Sequence, residues 1–172
     1  MIYEILNPEV LVTDESLVQI SSPDIESLKT DAGRNERKRI RLCAHQDIND
    51  RLHEMLIVHT KEAYVRPHKH FNKSESVHII EGLVEVVLFD EIGNIREVIR
   101  MGDYASGHRF YYRMSVPIYH TLLIRSEMLV FHETTNGPFI PADTIFAPWA
   151  PDEGDIVARQ AYIERLEKLL AR

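Results

Sequence analysis

Apolar and polar residues alternate along much of this chain with the period of a β-strand. Between Arg39 and Ala44, Ile40, Leu42 and Ala44 fall on one face and Arg39, Arg41 and Cys43 on the other. From Glu54 to Thr60, Met55, Ile57 and His59 oppose Leu56 and Val58. Further strands are predicted over Glu9–Thr13, Val77–Ile80, Leu83–Phe89, Ile95–Ile99, Arg109–Tyr112, Tyr119–Ile124 and Met128–Glu133. The breaks carry turn chemistry: Glu81-Gly82, where glycine supplies a backbone angle other residues avoid, and Phe89-Asp90-Glu91-Ile92-Gly93-Asn94. Two segments switch to a helical period. One runs from Asp24 to Lys38 after Ser22-Pro23, with Gly33 offering an earlier stop. The other covers Asp155–Arg172, with Ile156, Ile163, Leu166 and Leu170 as its apolar stripe. Many short strands with regularly spaced turns predict an all-β sandwich or small barrel.

Chemistry concentrates in Pro67-His68-Lys69-His70-Phe71-Asn72-Lys73-Ser74-Glu75. Two histidines one residue apart share a strand face. Glu75 joins them only after a turn, which Phe71-Asn72-Lys73-Ser74 provides. It then opens the next strand and points back at both imidazoles. With a fourth ligand from a distant segment, these residues make a mononuclear metal site of mixed nitrogen and oxygen donors. The competing reading is a metal-free domain in which Glu75 pairs with His70 or Lys73 at the surface.

His68, His70, Glu75 and Gly82 resemble the first motif of the cupin superfamily: H-x-H, four residues, Glu, six residues, Gly. Val116-Pro117-Ile118-Tyr119-His120-Thr121 is similar to the second motif, with Tyr119 where a glycine is usual. Arg41, Cys43, His45, Tyr64–His70, Phe89–Gly93, Gly137-Pro138-Phe139 and Ala147–Pro151 narrow the resemblance to the WbuC family of cupin-fold metalloproteins, over roughly residues 36–155. The resemblance implies a cupin-type jelly-roll β-barrel preceded by a helical segment and followed by a C-terminal helix. It implies His68, His70, Glu75 and His120 as ligands of one divalent transition metal (Fe, Mn, Zn, Ni or Co). It also implies a homodimer joined through the N-terminal strand or the C-terminal helix, and a setting in bacterial surface-polysaccharide (O-antigen) biosynthesis. The division expected is one domain over 1–172: strands over about 39–135, a covering segment over 136–154 and a helix over 155–172.

Strand parity carried back from His68 would turn Arg66 and Tyr64 inward. Arg66 is then a substrate anchor, or a salt-bridge partner of Glu133; Tyr64 lines the mouth or fills the core. Val77, Ile79, Leu122 and Ile124 are expected as dry packing around the ligands, and His78 falls on the opposite face. Phe110 and Tyr112, or Tyr111 on the other parity, are expected on the pocket wall. His45 and Arg41 match family positions before the barrel. His45 is a candidate proton-transfer residue and Arg41 a candidate substrate contact, against an interface or capping role. Cys43 reads as a buried structural thiol. The Pro-punctuated stretch through Trp149 reads as a lid, a clasp or a plain cover.

Composition narrows the function classes. Among 172 residues the net charge is −7, which disfavours nonspecific nucleic-acid binding; Arg34–Arg41 reads as a solvated basic helix end. A lone cysteine rules out an internal disulfide framework. The opening Met1-Ile2-Tyr3-Glu4 is not a signal peptide and no long apolar span follows, so a cytoplasmic protein that engages neither membrane nor nucleic acid is expected. Neither a phosphate-binding glycine loop nor a nucleophile motif is present, which removes kinase and serine-hydrolase readings. The leading expectation is a metal-dependent enzyme acting on a sugar or sugar nucleotide, by isomerisation or epimerisation. The alternatives are an Fe(II)-dependent oxygenase and a non-catalytic sugar-binding or regulatory module.

Overall fold

The computed structural model describes residues 3–171. Met1, Ile2 and Arg172, the ends of the expected domain and helix, lie outside the described residues. Twelve strands are described: β1 (Glu4–Asn7), β2 (Val10–Val12), β3 (Arg39–Cys43), β4 (Leu52–Thr60), β5 (His68–His70), β6 (Glu75–Glu81), β7 (Leu83–Phe89), β8 (Ile95–Gly102), β9 (Tyr111–Met114), β10 (Tyr119–Ile124), β11 (Met128–Asn136) and β12 (Thr144–Phe146). Two α-helices join them, α1 (Ser22–Arg34) and α2 (Ile156–Leu170). One sheet runs β1-β2-β3-β4-β11-β6-β9 and the other β12-β5-β10-β7-β8. Apart from the parallel β2–β3 pair, the ladders are antiparallel. The sheets remain open and pack face to face, so the cupin-type jelly roll is a two-sheeted sandwich instead of a closed barrel.

The two-residue period sorts side chains into three layers. Between the sheets lie Met55, Ile57, Val77, Ile79, Val84, Val86, Ile124, Leu129 and Phe131. The opposite faces of β3 and β4 send Ile40, Leu42, Leu56 and Val58 outward, where Leu28 and Ala32 of α1 cover them. Outward residues of the smaller sheet, Val87, Phe89, Tyr119 and Leu123, are covered by Tyr162 and Leu166 of α2. Each such fully buried large side chain contributes about 1.5–3 kcal/mol of transfer free energy.

Local chemistry sets the helix ends. The Asp24 carboxylate accepts from the Ser21 backbone N–H at 2.8 Å, with Pro23 in the first turn. The helix stops at Arg34, one residue past the earlier stop offered by Gly33 and short of Lys38; Asn35 is extended and its amide side chain donates to Pro8 O. At α2, Asp155 Oδ1 accepts from Ala158 N at 2.9 Å. Of the expected stripe, Ile163, Leu166 and Leu170 pack on the smaller sheet, joined by Tyr162, while Ile156 is exposed. The basic stretch after α1 is not a solvated helix end. Arg37 and Arg39 both pair with Glu9 and Glu153, fastening the segment before α2 to the larger sheet, and Arg41 points between the sheets. No helix among the described residues is long and apolar enough to cross a membrane.

Candidate metal centre

Register brings the distant histidine to the pair. His120 of β10 lies opposite His68 of β5, and β5 continues outward to β12, with Thr144 opposite His70 and Phe146 opposite His68. The turn after His70 uses Asn72 at φ +57°, a left-handed angle asparagine tolerates, and returns the chain into β6 at Glu75. Potential ligand atoms of His68, His70 and His120 all lie within 4.8 Å of one another. Glu75 sits on the facing sheet, with Oε2 at 3.4 Å from His70 Nε2 and Oε1 at 3.3 Å from His120 Nε2. Its carboxylate is 6% exposed, so this is an interior contact and not the surface pair of the metal-free reading.

Each imidazole is oriented from behind. His68 Nδ1 lies 2.8 Å from Arg66 O, His120 Nδ1 3.0 Å from Ile118 O, and His70 Nδ1 3.1 Å from Thr144 Oγ1. A carbonyl oxygen only accepts, so His68 and His120 donate through Nδ1 and present Nε2 toward the centre. Burial, reinforced by the neighbouring His120 and His70, pushes His68 down to about 3 and keeps it neutral. Burial alone would raise Glu75. The imidazoles, His120 foremost, outweigh it and hold the carboxyl below its ordinary range. Tyr112 inserts from β9 and donates its hydroxyl to Glu75 Oε1 at 2.9 Å. Three converging imidazoles, a carboxylate held below its ordinary range and hydrogen-bonded supports fit a divalent transition metal.

Val77, Ile79, Leu122 and Ile124 join the apolar layer between the sheets, Val77 and Leu122 two residues along their strands from Glu75 and His120. His78 points outward, against Phe110, and lies opposite His132. Tyr112 is the inward member of its strand.

The other expected site residues are dispersed. Parity does not extend back from His68, because residues 63–67 are irregular. Tyr64 therefore enters the layer beneath α2 and donates to Pro151 O at 3.1 Å. Arg66 lies over Phe146, 4.9 Å from its ring centroid, and pairs with Asp152 at 2.6 Å instead of Glu133. His45 lies beyond β3, stacked on His53 at 4.0 Å, and its Nδ1 meets the backbone of Glu54. It lines an outer groove with Leu17, Ile20 and His132. Arg41 and Cys43 do share the inner face of β3, and burial raises the Cys43 thiol. Sequence reasoning undervalued Glu133. It lies on the inner face of β11 with Leu129 and Phe131, where burial and then Glu75 push its carboxyl up. Its parity with those two core residues was a readable signal. Thr144 left none, because nothing local reveals that β12 completes the edge beside β5.

The family described as "Domain of unknown function (DUF6016)" matches residues 20–101, a stretch that includes His68, His70 and Glu75 but ends before His120. No curated protein matches the chain. Among solved structures, protein SO0799 from Shewanella oneidensis is similar over 78% of this chain and 88% of its own, at 10% identity and a TM-score of 0.55, a likeness of fold alone. Oxalate decarboxylase from Bacillus subtilis aligns at 19% identity over 58% of this chain, with a TM-score of 0.46. The capsular polysaccharide assembling protein CapF from Staphylococcus aureus aligns at 17% identity over 65% of this chain and 32% of its own, with a TM-score of 0.49. The chain spans about a quarter of the length of the oxalate decarboxylases it matches, 24% and 27% in two of them.

Proposed function

We propose that His68, His70, Glu75 and His120 hold one divalent transition metal, and that the centre serves an enzyme isomerising or epimerising a sugar or sugar nucleotide. The observation that carries the metal reading is the anchoring of all three Nδ1 atoms, which leaves the opposite ring nitrogens convergent beside an ionised carboxylate. The sugar class, a homodimer and a place in bacterial surface-polysaccharide biosynthesis rest on the family resemblance. A metal bound there would act as a Lewis acid toward a carbonyl or lower the pKa of a bound water. The chain's residues supply the rest. Arg66 O, Ile118 O and Thr144 Oγ1 fix the rings, and Tyr112 holds Glu75.

Elemental analysis of protein purified without a metal-affinity tag tests this, alongside His68→Ala. Near-stoichiometric metal in the wild type and its loss in the variant are expected. Absence of metal even after reconstitution rejects the centre. Metal without turnover of any keto sugar nucleotide rejects the isomerase reading and leaves a binding module. Bound iron with oxygen consumption replaces it with an oxygenase.

A further inference from the structure

Two inward side chains of opposite charge take no part in the metal centre. Cα pairing aligns Cys43, Met55, Glu133, Val77 and Tyr112 in one row across the larger sheet, and Arg41, Ile57, Phe131 and Ile79 in the next. Glu133 is therefore diagonal to Glu75, on the neighbouring strand and one row away. Its carboxyl feels Glu75 and His70 on one side and Arg41 on the other. Yet no hydrogen bond or ion pair joins Arg41 to Glu133. The guanidinium's one polar contact among the described residues is Met55 Sδ at 4.0 Å, and Glu133 makes none. Both are half-buried on the inner face of their strands. An enclosed guanidinium and a nearby carboxylate that decline to pair leave their hydrogen-bonding capacity open to a ligand.

We propose that this face binds an acidic sugar, with Arg41 taking its oxyanion, Glu133 a hydroxyl, and the ring's far edge lying at the histidine cluster. The planar fork of a guanidinium matches two oxygens of one anionic group, and a carboxylate accepts from sugar hydroxyls. Size follows from the register. Strands are about 4.8 Å apart, and Arg41 is three strands and two rows from Glu75, a gap that the long guanidinium stem and the ligand share, with Glu133 between them. A ligand reaching from cluster to guanidinium is a six-carbon acid or a sugar phosphate, not a two-carbon acid. This inference rests on the proposed function for the cluster, while the Arg41 contact stands apart from metal binding.

Isothermal titration of metal-loaded and chelator-treated protein with D-glucuronate, D-glucose 6-phosphate and D-glucose tests it. We expect at least one anionic sugar to bind tenfold or more tightly than glucose; the stronger of the two identifies carboxylate or phosphate as the oxyanion. Arg41→Met, which keeps the stem, abolishes that preference. Arg41→Lys, which keeps the charge without the fork, retains part of it. Glu133→Gln weakens the anionic sugar and glucose alike, about threefold to tenfold. An absent preference, or one unchanged in both Arg41 variants, overturns the proposal. Elemental analysis of the same samples separates the two readings. An Arg41-dependent preference in protein that never takes up metal removes the centre and keeps the anion site. Metal without preference does the reverse.

Discussion

Thr144 Oγ1 stands 3.1 Å behind His70 Nδ1, so a residue of the C-terminal covering segment orients a ring in the candidate centre. The backbone pairing of Thr144 with His70 fixes the hydroxyl's position. The Pro-punctuated stretch is thus more than a cover for apolar surface. It supplies β12 and the support behind one of the three imidazoles.

Thr144→Val keeps the β-branched shape and removes the hydroxyl. Losing a support of this kind typically costs about 10–100-fold in metal affinity. The expected result is a drop of that size in competition titrations against a chelator. The circular dichroism spectrum and the thermal midpoint remain close to wild type.

Tyr112→Phe deletes the hydrogen bond to Glu75 Oε1 and nothing else of the ring's packing. A hydrogen bond to a charged group contributes about 1.5–3 kcal/mol. Metal affinity should fall about 10–100-fold, by the conversion of about 1.4 kcal/mol per tenfold. An unchanged affinity would show that the hydroxyl does not hold the carboxylate.

His59 provides a test of stability against pH that is independent of the cluster. Its ring is buried edge-on to Phe131, its Nδ1 has no partner among the described residues, and burial, then Arg41 and Arg37, lowers it from 6.5 to about 3. The unfolded chain therefore binds a proton at His59 that the folded chain refuses. The stability this group provides is complete above pH 6.5 and is lost as pH falls toward 3, at up to about 1.4 kcal/mol per pH unit. In urea unfolding at a series of pH values, His59→Leu should flatten the acid decline by one proton's slope. A parallel decline in wild type and variant would refute the assignment.

Gly82 joins β6 to β7 at φ +94°, and a Cβ there would run into Met128 O and Ser126 Oγ. Gly82→Ala should lower stability by about 1–3 kcal/mol. Thermal unfolding reads this directly, and metal content per folded molecule should not change.

Much of this was legible because strands advertise themselves with period two. Inward Met55 and Ile57, inward Val77 and Ile79, and the turn at Gly82 all follow from local pattern. His68, His70 and Glu75 were visible because one strand, a turn and the next strand bring them together within eight positions. What escaped depends on distant chain. Carrying strand parity back to Tyr64 and Arg66 failed because Pro67 and its neighbours hold no ladder, and their partners, Pro151 and Asp152, lie more than 80 residues away. Tyr162 was missed because a tyrosine among charged residues does not register as a stripe until the facing sheet is known. Glu133 was visible by parity, yet a carboxylate among core residues reads as an exception until the register sets it diagonal to Glu75.

The 74 residues that separate His70 from Thr144 also impose an order on assembly. As the chain emerges during synthesis, His68, His70, Glu75 and His120 all precede the strand that steadies His70. The carbonyls behind His68 and His120 are two residues from the rings they hold, so those rings can be set as soon as their own strands pair. The His70 ring must wait for β12. A nascent chain lacking that strand presents a loosely aimed third nitrogen, and tight capture of an ion at the proposed centre belongs to the finished molecule.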